Sequence, residues 1–99
     1  MIHIMALYRV KEDKLQEVIT AVEEFVDAVK DNEPGTLVYE SVRGKDDLSF
    51  FHIMTFQNEE AEESHRSTPH MSKWVKTLYP NCLEEPVFVE LDLVRSNIR

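Results

Sequence analysis

The sequence predicts an α+β fold of the ferredoxin-like class, with element order β-α-β-β-α-β. Three observations predict it. Segments 2–10, 36–43 and 48–57 are rich in Ile, Leu, Val, Phe and Tyr and have strand length. Segment 13–31 switches to helical period. A further helical stretch begins at Thr68-Pro69 and is followed by a last apolar strand at 86–95. In this topology helices lie on one face of a four-stranded antiparallel sheet. The 99 residues fit one domain over 1–99, without repeat, linker or low-complexity stretch.

The first strand, IHIMALYRV, is apolar on both faces, with Ile2, Ile4, Ala6 and Tyr8 on one and Met5 and Leu7 on the other. In the helix, Leu15, Val18, Ile19, Val22, Phe25, Val26 and Val29 form one stripe spaced by threes and fours. Asp13 and Gln16 resemble a capping box, and Pro34-Gly35 marks the stop. GKDD at 44–47 has turn composition, so the flanking strands form a hairpin. The second hairpin strand sets Phe50, Met54 and Phe56 against Phe51 and Ile53. Asn58 can cap a short acidic helix over 58–66; Thr68 can cap the next, with Pro69 in its first turn. In the last strand Val87, Val89, Leu91 and Leu93 share a face.

A sheet with helices on one face usually shows water a polar opposite face. Here the first and third strands carry large apolar residues on both sides, and a patch of that size marks an interface. The sequence therefore predicts a homodimer formed by sheets packing face to face. The formal net charge of −8 argues against a nucleic-acid partner and against anionic membrane surfaces. Cys82 is the only cysteine, so no internal disulfide forms, and a reducing, cytoplasmic setting is expected. The N-terminus reads as a strand rather than a signal peptide, and no apolar run approaches membrane-spanning length.

Only two glycines occur, Gly35 and Gly44, so neither a G-x-G-x-x-G turn nor a P-loop is present. C-x-x-C, H-E-x-x-H and a nucleophile elbow are absent too, and no nucleotide cofactor is expected. The chemistry concentrates in AEESHRSTPHMSKW, residues 61–74, with His65, His70 and Trp74. His65 ends one helix, where the dipole favours imidazolium; His70 opens the next, where it favours the neutral ring. Opposed environments of this kind suit an acid/base pair around one substrate. The plainer reading is that both finish helix ends. The H-x₄-H spacing across a helix break is not a zinc pattern, and no metal is expected. His3 and His52, on neighbouring strands, can meet in the dimer interface or serve as structural histidines. Trp74 and Tyr79 read as core, and the hydroxyls of Tyr8 and Tyr39 can reach a pocket.

Phe56-Gln57-Asn58, then Glu60-Ala61, His65 and Ser67-Thr68-Pro69-His70, resemble the signature of the antibiotic biosynthesis monooxygenase family. The resemblance implies a dimeric α+β barrel with a pocket between helices and sheet in each subunit. It implies cofactor-free oxidation, by O₂, of an electron-rich quinol or polyketide-like aromatic. It places His65 and His70 as polar pocket residues and Phe51, Phe56 and Trp74 as walls, with Tyr8 and Met54 at substrate-binding positions. Many members carry a glutamate two residues before the strand-end aromatic; here that position is Met54. Two relatives imply rival activities. One is the isomerase-like enzyme that processes phosphorylated autoinducer-2, similar in the "VKEDKLQEV" helix start and "TPH". The other is the haem-degrading monooxygenases, but these need an asparagine near the end of the first strand, where Tyr8 falls, and an aligned histidine on the last helix, where none lies near Trp74. A non-catalytic, stress-associated binding module would use the same pocket without turnover.

Overall fold

The computed structural model describes residues 1–98 of the chain. Strands β1 (Ile2–Arg9), β2 (Thr36–Arg43), β3 (Ser49–Phe56) and β4 (Val87–Leu91) form one antiparallel sheet in the order β2-β3-β1-β4. Helices α1 (Leu15–Asn32), α2 (Glu59–Arg66) and α3 (Pro69–Leu78) complete the ferredoxin-like α+β arrangement.

The register assigns the faces. Ile4, Ala6 and Tyr8 of β1 pair with Met54, His52 and Phe50 of β3. Side chains alternate along a strand, so these residues share the inner face, under the helices. The buried stripe of α1 is Val18, Val22, Phe25 and Val29. It packs with Tyr8, Phe50, Trp74 and Leu78 in one core cluster, against which Leu15, Ile19 and Val26 rest partly buried. Full burial of one such side chain contributes roughly 1.5–3 kcal/mol, so this stripe fixes α1 on the sheet.

The outer face holds Met5, Leu7, Phe51, Ile53, Val87 and Val89, and no helix covers it. Phe51 pairs with Leu7 and Val42 there, one residue out of phase with the inner face. It cannot wall a pocket beneath the helices, contrary to the sequence expectation. His3 and His52 likewise fall on opposite faces: His3 bonds Thr55 Oγ1 through Nδ1 at 3.0 Å, while His52 is buried on the inner face. They do not approach each other.

Local chemistry sets most boundaries. Asn58 Oδ1 accepts from Ala61 N at 2.9 Å and Thr68 Oγ1 accepts from Met71 N at 3.1 Å, so both predicted caps form. The Asp13–Gln16 capping box does not. A 3₁₀ turn at Glu12–Lys14 precedes α1 and leaves Asp13 inside the turn, and Gln16 Nε2 donates to Thr20 instead. In the hairpin, Asp46 Oδ1 accepts from Leu48 N and Ser49 N, and Asp47 takes a positive φ of 66°. The last strand is shorter than the predicted 86–95. It pairs with β1 alone, along five residues, and Leu93 lies beyond it.

Candidate functional site

The inner face of the sheet and helices α2 and α3 enclose a cavity of about 400 Å³. Ile4, Ala6, Met54 and Phe56 form its floor, with Met71, Trp74 and Leu78 opposite. Its rim is polar: Arg66 Nε donates to Glu62 Oε2 at 2.5 Å, and Glu90 and Tyr79 complete the edge. Tyr79 is therefore an exposed rim residue, not a core one. Trp74 is both core and cavity wall.

His65 enters this cavity from the last turn of α2, and its ring is almost fully buried. Its Nδ1–H donates to Glu33 Oε1 at 2.6 Å. His70, from the first turn of α3, donates through Nε2 to the other oxygen, Oε2, of the same carboxylate. Thr36 Oγ1 donates to Glu33 Oε1 at 2.7 Å. Glu33 is the C-cap residue of α1, buried where the chain turns toward β2. Burial alone would raise its pKa, but the hydrogen bonds from His70, Thr36 and His65 outweigh it and hold the carboxyl below its ordinary value.

Two histidines expected to occupy opposed helix-end environments thus share one anchor. His70 does not line the cavity. It stands behind Glu33, its ring 5.8 Å from Phe25, beside a smaller pocket between α1 and α3. Among the described residues His65 Nε2 has no protein partner, yet every buried side-chain polar atom there has one. Nε2 therefore keeps open surface, and the space that His65 lines is the cavity. A carboxylate on Nδ1–H fixes the tautomer that leaves Nε2 as the acceptor.

Sequence reading missed Glu33, which lies 32 residues from His65 and 37 from His70. The preceding helix was legible and Pro34-Gly35 marked its end, but nothing local distinguishes Glu33 from the acidic residues around it.

A second polar group crosses the cavity floor. His52 Nε2 shares a 2.7 Å hydrogen bond with the Tyr8 hydroxyl, and its Nδ1 shares one of 2.7 Å with the Tyr39 hydroxyl. The ring stacks on Trp74, centroids 5.5 Å apart. Burial pushes the His52 pKa down to about 4, so the ring is neutral at pH 7. Burial likewise pushes both tyrosines up, so their hydroxyls stay protonated. Tyr8, Tyr39 and His52 all line the cavity.

Among the described residues no group of three or more His, Cys, Asp and Glu side chains is placed to hold a metal ion. Among them also, no helix is long and apolar enough to cross a membrane.

A four-stranded antiparallel sheet with helices on one face sets the protein in the ferredoxin-like α+β class. More specifically, the chain belongs to the antibiotic biosynthesis monooxygenase family, whose sequence pattern matches residues 1–77. That span holds Glu33, His52, His65 and His70 and ends before β4. Among solved structures, a Caulobacter crescentus CB15 protein named for the same family shares 26% identity, with a TM-score of 0.88 over 95% of this chain and 90% of its own. A crystal structure of an antibiotic biosynthesis monooxygenase superposes at TM-score 0.90 with 21% identity, over 96% of this chain and 100% of its own. A Bacteroides thetaiotaomicron VPI-5482 protein named for the same family gives 0.90 with 18% identity, over 99% of this chain and 93% of its own. At those identities the last two show the fold alone. No protein of curated function matches the sequence.

Proposed function

We propose that the protein is a cofactor-independent monooxygenase that oxidises an electron-rich aromatic hydroxyl compound, quinol or polyketide-like, with O₂. The observation that carries this reading is His65, fixed by Glu33 through Nδ1 and open through Nε2 to an apolar cavity. Family membership supports the reaction class.

The chemistry asked of the chain is small. His65 Nε2 takes the proton of a phenolic hydroxyl, and the resulting phenolate is a stronger reductant than the phenol. Glu33 steadies the imidazolium that forms, and His70 and Thr36 hold Glu33 in place. Phe56, Met54, Trp74 and Tyr8 hold the ring and exclude water from the reduced-oxygen intermediate. The substrate supplies the electrons. Where a ring methylene becomes a carbonyl, one oxygen atom enters the product and the other leaves as water with the two hydrogens. The cavity is read as one per subunit of a homodimer that buries the apolar outer face.

The test is O₂ uptake with a panel of quinols. His65→Ala is expected to lower kcat/KM by about 10²–10⁴-fold, the range for a lost general base. Glu33→Gln keeps the shape but removes the charge and is expected to lower kcat more than it raises KM. Uptake that is indifferent to His65, or no faster than the uncatalysed reaction, overturns the proposal. Ketone proton exchange without O₂ consumption would instead mark an isomerase, for which His65 and the tyrosine hydroxyls supply base and acid. Ligand-dependent thermal stabilisation with neither reaction would mark a binding module.

A further inference from the structure

Tyr8, His52 and Tyr39 have a proton count that their mutual hydrogen bonds do not exhaust. A neutral imidazole carries one N–H and one lone pair, and each phenol carries one O–H. The three groups therefore hold three mobile protons between them, and their two hydrogen bonds, both 2.7 Å, use two. The third belongs to a tyrosine hydroxyl, and the His52 tautomer decides which one. With the proton on Nδ1, Tyr8 donates to Nε2 and Tyr39 keeps the spare proton. With the proton on Nε2, Tyr39 donates to Nδ1 and Tyr8 keeps it, beside the Ser41 hydroxyl that also bonds the Tyr8 oxygen.

Both hydroxyl-bearing residues line the same cavity. The His52 ring cannot turn away from them, because it is buried and stacked on Trp74, which is stacked in turn on Phe25. A histidine ring has two nitrogens to satisfy. This one spends both nitrogens on two cavity-lining phenols.

We infer that Tyr8–His52–Tyr39 is a neutral proton relay with both ends in the cavity, which takes a proton from one atom of a bound ligand and returns one to another. The inference rests on the reading of the cavity as the substrate site. The step balances without any charged resting state. A ligand O–H bond breaks as its proton passes to the Tyr8 oxygen, and the Tyr8 proton moves to His52 Nε2. The Nδ1 proton moves to the Tyr39 oxygen, and the Tyr39 proton leaves to a second acceptor atom in the cavity. The relay ends in its other tautomer and can run back. The ligand class that uses it is a neutral aromatic or conjugated molecule with one hydroxyl and a second oxygen or carbon able to accept a proton. Hydroquinones and hydroxy-enones qualify, whereas their fully O-methylated ethers do not. The relay complements His65, which takes a proton and becomes charged.

The test is anaerobic, so it does not depend on oxygenation. Protein labelled with ¹⁵N-histidine is titrated with 1,4-dihydroxynaphthalene and, separately, with its dimethyl ether, and the two His52 ring nitrogens are followed by NMR. The diol is expected to shift the proton balance between Nδ1 and Nε2, and the ether to leave it unchanged. Tyr8→Phe and Tyr39→Phe are each expected to weaken diol binding by about ten-fold, the worth of one hydrogen bond to a ligand, while ether binding stays within about two-fold. A His52 tautomer that responds alike to diol and ether, equal loss of both ligands in the variants, or no diol binding overturns the relay. A tautomer response without O₂ uptake would retain the relay and reject the oxygenase. Uptake that depends on His65, with no His52 response, would do the reverse.

Discussion

His52 is neutral in the folded protein and protonated in an unfolded chain at mildly acidic pH, and the difference is a stability term. The ordinary histidine pKa is 6.5 and the folded value is pushed down to about 4. A base with a depressed folded pKa contributes its full stability above pH 6.5 and loses it as pH falls toward 4. Between pH 7.5 and pH 5 the loss is about 2 kcal/mol. Urea unfolding at the two pH values is expected to show it, and His52→Gln, which retains polar contacts but does not titrate, to flatten the slope. Glu33 has the same sign lower on the scale. Its depressed pKa stabilises above the ordinary carboxylate value and is lost as pH falls through the folded one. At this scale the sequence singled out His65 by its spacing before S-T-P-H and allowed the Tyr8 and Tyr39 hydroxyls to reach a pocket, but it gave no sign of the carboxylate that His65 bonds. Glu33, His52 and Tyr39 come from three other elements, and only the register and the helix packing bring them to the cavity.

Two of the elements that carry the site approach each other closely at Gly35. A Cβ built there would lie 2.6 Å from the Ala61 Cβ, and the Gly35 carbonyl accepts from Gln57 N at 2.9 Å. This contact seats α2 against the turn that holds Glu33, and so sets the distance between Glu33 and His65. Gly35→Ala is expected to destabilise by about 1–3 kcal/mol, as overpacking does, and to lower activity beyond what the lost stability explains. Thermal unfolding and O₂ uptake on the same samples separate the two effects. Element boundaries were legible where one side chain decides them, as at the Asn58 and Thr68 caps. They were not where a tertiary choice intervenes. The 3₁₀ turn displaced the Asp13 capping box, and β4 stops pairing at Leu91 although the apolar pattern runs on. Phe51 was misplaced for a related reason: in a strand apolar on both faces, alternation alone does not say which face meets the helices.

For the whole molecule, the outer face is the part of the sheet that the chain's own described helices leave uncovered. Ile53, Val42, Val87, Val89 and Leu91 are all more than a third exposed there, a concentration of apolar surface that marks contact sites. A second copy of the sheet is the simplest complement, since a two-fold contact matches the same patch to itself. The wild-type protein is therefore expected to sediment at twice its chain mass of 11.6 kDa. Ile53→Lys with Val89→Lys, which places charges at the centre of that face, is expected to shift it to the monomer and to lower Tm. Salt tells an apolar contact from an ionic one. Each chain carries −8, so two copies repel, and screening that repulsion is expected to strengthen a dimer held by apolar burial. A contact held by ion pairs would weaken on the same addition. A monomer at all salt concentrations would remove the dimer from the functional reading. The cavity, bounded by residues of one chain, would then have to work alone.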